Sequence, residues 1–488
     1  MPLANYWSYA LGLLFFIIAF LAKWSQLRTG KLHNMDFWLF VDLLEQASNG
    51  GFWLTRFAPQ EIGWVQHGAV HTFAVLFTLL PAVKLLGAKW VALAMNPFAI
   101  SLAGVALASL AKPYWGGRIA LLFQFSFYAL GANGKTLMYE THPEAFYPLL
   151  VFCSALAVRI NQTWLIFLAV FLLYSLKMDI LGFGAPLAVW LASTGRSKKT
   201  IIFAATAGLT LQIVSLRNFS LGSMGPSLWD GATIFLPQTS GGGLSNSLSL
   251  DTLRGLYFRM STALGGSVEI LTGFPFLEII APVFWLVFSV PALLSFLGLS
   301  IIYGMVPGAI PLWNYYSAPW VGVSWAIAIH GLPKKLEPYR RRIVIWTLLV
   351  SGLIHSGSPK IYLEGLFESD SKTSRRLALK RAVQCIPSSH KSGMISPGLT
   401  EPLWETLKER LITDRWSGTT PLPKGMDFII LEKGVARYAF SKADSLRIEK
   451  TMESEAWLQT YPTFRLSLSS TYGISQKTTR DKASNNGA

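Results

Sequence analysis

Charge is scarce over the first 356 residues of this chain. Only twelve carboxylates occur there: Asp36, Asp42, Glu45, Glu61, Glu140, Glu144, Asp179, Asp230, Asp251, Glu269, Glu278 and Glu337. Cysteine is scarce too. Cys153 lies in an apolar run and Cys385 in the polar C-terminal part, which is no disulfide framework. There is no Walker loop, nucleophile elbow or dinucleotide fingerprint, so ATP-driven transport and serine hydrolysis have no support. No CxxC pair is present, and the HxxxH spacing of His67 and His71 lacks the glutamate of an HExxH motif, so no local motif announces a metal. The apolar segments do not alternate with polar residues, which excludes a transmembrane β-barrel.

What remains is hydrophobic: 52% of residues are apolar and only 14% charged. Stretches long enough to span a bilayer recur from residue 7 to about 357, so the chain reads as an all-α polytopic membrane protein. Residues 7–22 read as a retained first helix, since neither a basic n-region nor a small-residue cleavage site accompanies them. The composition changes near Gly357: the last 132 residues hold 34 of the 68 charged side chains. The expected domains are therefore 1–357 in the membrane, with about 9–12 helices, and a small soluble α/β domain over 358–472. A disordered tail follows over 473–488. The net charge of +16 lies largely at loop ends, which membrane topology explains without nucleic acid.

Four short connections are basic: Lys112 to Arg118, the turn at Arg159, Arg196 to Lys199, and Lys334 to Arg342. The positive-inside rule makes them cytoplasmic. The expected spans are 89–111, 119–133, 145–159, 164–176, 179–194, 200–217 and 343–357, with one or three crossings between 270 and 332. Segments 134–144, 177–179, 218–270 and the C-terminal domain then lie outside. The start admits two readings. If 68–87 is re-entrant, 24–67 is an outer loop. If 68–87 spans, 24–67 is cytoplasmic, as Lys23, Arg28 and Lys31 would favour. Pro81 and Lys84 within the segment favour re-entry, which also brings Asp36 to the face that carries most of the other acids.

An acid inside lipid is costly, so the rare acids of a membrane protein are usually paired or functional. Residues 36–49 read as an amphipathic helix, with Asp36 at its N-terminal end as either a cap or a catalytic base. A solvated face accounts for Asp42 and Glu45. Thr141-His142-Pro143-Glu144 fits a capping box with proline in the first turn, which explains all but His142 and the neighbouring Glu140. Lys177-Met178-Asp179 is either a solvated turn or a lysine for phosphate beside an acid for a sugar hydroxyl. Arg254 and Arg259, in a Ser/Gly-rich loop, suit a phosphate or anionic lipid headgroups.

With these pieces in place, the chain resembles a family of bacterial polytopic membrane proteins of unknown function, grouped by architecture with the GT-C glycosyltransferases. The matching positions are Asp36 in Met-Asp-Phe, His67 before Gly68, Thr141 to Glu144, Lys177 to Asp179, and Tyr316 to Pro319. Thr141, Met178 and Tyr315 stand where the family pattern has Phe, Glu and His. The resemblance implies a GT-C-like helical bundle that moves a sugar from a polyprenyl-phosphate donor to an envelope acceptor: a glycan, a lipid or a protein. It implies Asp36 as base, and Lys177 with Arg254 or Arg259 on the lipid phosphate. His142, Glu144 and Asp179 would position the sugar, with His67 and Tyr316 also lining the site. No cofactor is required, although a divalent metal would be compatible. A transporter or flippase, and a non-catalytic scaffold, are the competing classes. A transporter should show repeated halves and mid-membrane ionisable groups; no repeat is evident, and Glu278 is the main acid away from a segment end.

In the C-terminal part, 373–384, 401–413 and 444–459 have helical periodicity, while Met426–Leu431 and Phe464–Leu468 read as strands.

Overall fold

The structure is a computed structural model. It describes residues 3–29, 36–51, 54–55, 65–66, 73–177, 179–195, 197–220, 265, 268, 270–272, 274–304, 317–330, 334–353 and five strands between 392 and 469. The chain divides into two units. One comprises Met1–Lys23, His67–Pro81 and Leu93–Leu366; the other comprises Trp24–Gln66, Ala82–Ala92 and Phe367–Ala488.

The first unit is a bundle of apolar helices. Helix α1 (Leu3–Thr29) enters it, and α4 (Ala88–Trp115), α5 (Gly117–Ala129), α6 (Gly131–Met138) and α7 (Phe146–Ile160) follow. Next come α8 (Thr163–Tyr174), α9 (Ile180–Thr194), α10 (Lys198–Ser220), α11 (Phe274–Ile280), α12 (Val290–Gly304), α13 (Ala318–His330) and α14 (Arg340–Leu353). By length and composition Tyr6–Arg28, Ala88–Trp115 and Pro143–Ile160 are long and apolar enough to cross a membrane. Shorter apolar helices run beside them. The outer side of α1 exposes Trp7, Leu13, Leu14 and Ile17. A helix apolar on its exposed side is one built for lipid. Its inner side is small and polar: Ser101 Oγ donates to the Gly12 carbonyl at 2.6 Å and Ser8 Oγ to Gln124 Oε1 at 2.7 Å.

The helices alternate in direction between two chemically different ends. At one end Arg159 donates to the Ser109 and Leu110 carbonyls at 3.1 Å each. Arg340 lies 5.1 Å over the Trp115 ring and donates to the Tyr114 carbonyl. These arginines bind carbonyls in the last two turns of α4, where Pro113 has no N–H to offer the Ser109 carbonyl and Tyr114 lies in the final turn. The opposite end gathers Asn96, the 136–144 turn, the 175–179 turn and Ser317. Helix α1 starts near the basic end, where Ser8 meets α5, and reaches the other end at Lys23, which donates to the Tyr139 carbonyl.

Phe73 N donates to the Leu176 carbonyl at 3.2 Å and Asn96 Nδ2 to the Glu140 carbonyl at 2.8 Å, so both sit at the same end. A 3-10 turn (Ala74–Leu79), α3 (Leu80–Leu86) and the Gly87 corner at φ 86° lie between them. Lys23 is fully buried, so it is no loop charge to be counted in a topology rule.

Between 270 and 332 three passes are seen: α11 with its 3-10 continuation Ala281–Phe288, then α12, then α13. Helix α9 packs on α12 at a glycine pair, where a Cβ on Gly182 would lie 2.8 Å from the Gly298 carbonyl oxygen. The 119–133 span runs further than expected. After a break at Leu130 (ψ 125°), α6 continues to Met138, so 134–138 is buried or half-buried helix rather than loop.

In the second unit α2 (Asp36–Ser48) begins at Asp36 as expected. Asp42, however, is fully buried, with Gln46 Nε2 3.4 Å from its Oδ1, which corrects the solvated-face reading. Lys89 stands 5.6 Å over the Trp38 ring. Strands β1 (Leu54–Thr55) and β2 (Val65–Gln66) pair antiparallel. Five further strands form one sheet in the order β4-β3-β5-β7-β6. They are β3 (Ser392–Ile395), β4 (Leu411–Thr413), β5 (Phe428–Glu432), β6 (Ala456–Thr460) and β7 (Phe464–Ser469). The strands expected near 426–431 and 464–468 are present. Residues 411–413 and 456–460 are strands instead of helix ends. Cross-strand pairing, which helical periodicity does not register, decides both.

Candidate functional site

Two turns at the non-basic end of the first unit bring four of the expected residues together. One turn joins α6 to α7 and carries Glu140, Thr141, His142 and Glu144. The other joins α8 to α9 and carries Lys177 and Asp179. Glu144 is 1% exposed, and His142, Lys177 and Asp179 are 7% exposed each, so the group is nearly sealed from solvent.

Lys177 Nζ lies 2.5 Å from Glu144 Oε1 and 3.9 Å from Asp179 Oδ2. His142 Nδ1 lies 3.3 Å from Glu144 Oε2, an ion pair when the imidazole is protonated. Glu144 thus faces the lysine ammonium on one oxygen and the imidazole on the other. Burial strengthens such contacts and makes removal of one partner costly.

This geometry overturns two plain readings. The 3-10 turn Pro143–Ala145 opens with His142, not Thr141, at the N-cap, and no side chain caps it. The Glu144 carboxylate goes instead to a lysine 33 residues away. Nor is 177–179 a solvated turn: Lys177 and Asp179 are both buried, and Asp179, the N-cap residue of α9, makes no side-chain cap bond.

Backbone contacts hold both turns. Tyr147 Oη donates to the Lys177 carbonyl at 3.3 Å. Gln212 Nε2 on α10 donates to the Tyr174 and Lys177 carbonyls at 2.6 and 3.1 Å. Asn96 on α4 meets three backbone groups of the 136–142 stretch. The Tyr139 and His142 rings are 5.6 Å apart between centroids. Beside them Lys135 Nζ pairs with Glu278 Oε2 at 2.7 Å, so Glu278 is a charge neutralised within the bundle. Thr136 Oγ1 lies 3.3 Å from Ser317 Oγ.

Lys23, Asn96, Tyr147 and Gln212 were not singled out in the sequence. Their only signal is a polar group within an apolar span, and Lys23 looked like a loop charge. Of the other expected site residues, Asp36 opens α2, but its side chain lies outside the described residues, as do His67, Arg254, Arg259 and Tyr316. Among the described residues no three His, Cys, Asp or Glu side chains are placed to hold a metal ion. Glu144 and Asp179 converge on the Lys177 ammonium instead, and His142 lies against Glu144.

A family model described as a predicted membrane protein (DUF2079) matches residues 31–388. The chain belongs to the DUF2079 family. No protein of curated function matches it in sequence. Two solved structures of one protein share its fold. ArnT from Cupriavidus metallidurans bound to undecaprenyl phosphate matches with a TM-score of 0.50 at 9% identity, over 93% of this chain and 97% of that one. The apo state of the same protein gives 0.50 at 10% identity, over 95% and 98%. The archaeal oligosaccharyltransferase AglB from Archaeoglobus fulgidus, in complex with an inhibitory peptide and a dolichol-phosphate, gives 0.44 at 11% identity, over 88% and 69%. At 9% and 10% identity the likeness to ArnT is one of fold alone. This DUF2079 chain is a membrane protein of GT-C-like architecture, mostly helical, as the sequence resemblance implied.

Proposed function

We propose that this protein is a membrane glycosyltransferase. It moves a sugar from a polyprenyl-phosphate donor to an envelope acceptor at the outer face of the bacterial cytoplasmic membrane. The observation that carries the reading is the sealed His142–Glu144–Lys177–Asp179 group, at the end of the bundle opposite the basic connections. By the positive-inside rule the basic end is cytoplasmic, which puts this group outside. The fold likeness to a protein solved with undecaprenyl phosphate supports the same substrate class.

The chemistry asks for few parts. The bond from the anomeric carbon to the phosphate oxygen breaks, and the lipid phosphate leaves as a stable anion. An acceptor hydroxyl attacks from the other side while a base takes its proton, so a single displacement inverts the centre. In this reading Asp36 is the base. Lys177, held between Glu144 and Asp179, brings an ammonium charge to the phosphate. Arg254 and Arg259 add charge there. His142 and Asp179 bind sugar hydroxyls, with His67 and Tyr316 lining the pocket. The 358–472 segment acts as a small extracytoplasmic α/β domain that receives acceptor or a partner.

The test is native mass spectrometry of the purified protein offered undecaprenyl phosphate and phosphatidylglycerol together. Retention of undecaprenyl phosphate, lost by about tenfold or more on Lys177→Gln, is the expected result. Equal retention of both lipids, or no effect of the substitution, defeats the reading.

A further inference from the structure

We infer that Asn96 is a positioning residue of this site, its carboxamide fixing the turn that presents His142 to Glu144. The inference concerns the geometry of the cluster, and its place in catalysis rests on the function proposed above. Asn96 is fully buried near the site end of α4, a helix otherwise apolar over most of its length. Its Nδ2 donates to the Thr136 carbonyl at 3.0 Å and to the Glu140 carbonyl at 2.8 Å. Its Oδ1 accepts from the His142 backbone N–H at 3.1 Å. A primary amide can make about four such bonds, and three of them here fall on seven consecutive residues.

Those residues are where the chain leaves helical pairing. Helix α6 ends at Met138, and regular structure resumes only at Pro143. The backbone groups between them need partners, because buried polar groups without them are strongly disfavoured in an apolar setting. Any polar side chain would relieve some of this. Asn96 does more: it spans the turn, bonding the last part of α6 and the residue immediately before Pro143 with one rigid group. That sets the direction in which His142 enters. A second span contributes at the same place, where the Lys23 ammonium bonds the Tyr139 carbonyl and faces Glu140. The imidazole then meets the Tyr139 ring on one side and Glu144 Oε2 on the other.

Asn96→Asp keeps the shape and the acceptor, loses both donors, and sets a carboxylate against two carbonyls. Asn96→Gln keeps all three groups and lengthens the arm. The readout is the rate at which diethyl pyrocarbonate modifies His142, followed by peptide mass spectrometry in protein held in nanodiscs. His330, at the basic end, reports general loosening. For Asn96→Asp the His142 rate should rise about tenfold, the equivalent of one lost hydrogen bond, with His330 unchanged. Asn96→Gln should rise less, and it carries the test should the aspartate variant fail to fold. An unchanged His142 rate, or equal rises at both histidines, overturns the inference. Undecaprenyl phosphate retention is measured on the same samples. If wild type does not retain that lipid while His142 responds as expected, the proposed function fails and the role of Asn96 stands. If wild type retains it, Asn96→Asp should weaken retention.

Discussion

Lys177 Nζ and Glu144 Oε1 meet at 2.5 Å although 33 residues separate them in sequence. Helices α7 and α8, antiparallel neighbours, bring their two turns to one end of the bundle. The contact ties the His142 turn to the Asp179 turn, and both of its partners are buried.

The pair can be dissected. Lys177→Met alone strips the buried Glu144 charge of its lysine partner, and should cost about 3–5 kcal/mol of stability. Adding Glu144→Leu removes that charge, so the double variant should recover a large part of the loss. Thermal unfolding in detergent measures the cycle. Additive losses would mean that the two side chains do not interact.

Helix packing gives a second expectation. Gly182→Val forces a side chain into the Gly298 carbonyl. Overpacking of this kind typically costs about 1–3 kcal/mol, and small residues at such crossings are what allow membrane helices to approach. The melting temperature should fall. Gly265→Ala, where a Cβ meets open space, should leave it unchanged. Equal melting temperatures for the Gly182 variant and wild type would contradict the close crossing.

Sidedness gives a third. In a background with Cys153 and Cys385 replaced, Thr272→Cys and Gln162→Cys place exposed thiols near opposite ends of the bundle. An impermeant maleimide should label position 272 in intact cells and position 162 only after permeabilisation. The reverse pattern would put the buried group on the cytoplasmic side, away from the proposed acceptor.

Much of this fold is legible in the sequence, because spans are written in uninterrupted apolar length. The expected limits of α7, α8 and α9 fall within about two residues of those observed. Both site turns were also visible, since charges between apolar runs have few places to go. What sits inside a run was not visible. Asn96 and Lys23 leave apolar character almost unchanged, and a bond to a backbone carbonyl leaves no pattern at the acceptor. Glu144 shows a different difficulty: four residues match a capping box, yet the carboxylate follows a stronger, distant cation. Asp42 was assigned to water from its helical face, and its burial depends on packing that periodicity does not encode.

The central claim is that the His142–Glu144–Lys177–Asp179 group serves sugar transfer from a lipid phosphate. The most direct measurement follows the appearance of free polyprenyl phosphate by mass spectrometry. Purified protein in nanodiscs is given a panel of polyprenyl-phosphate sugars and an envelope extract as acceptor. Time-dependent release from at least one donor is expected, reduced about a hundredfold or more in His142→Ala. Absence of release from every donor, or equal release by wild type and the variant, would contradict the claim.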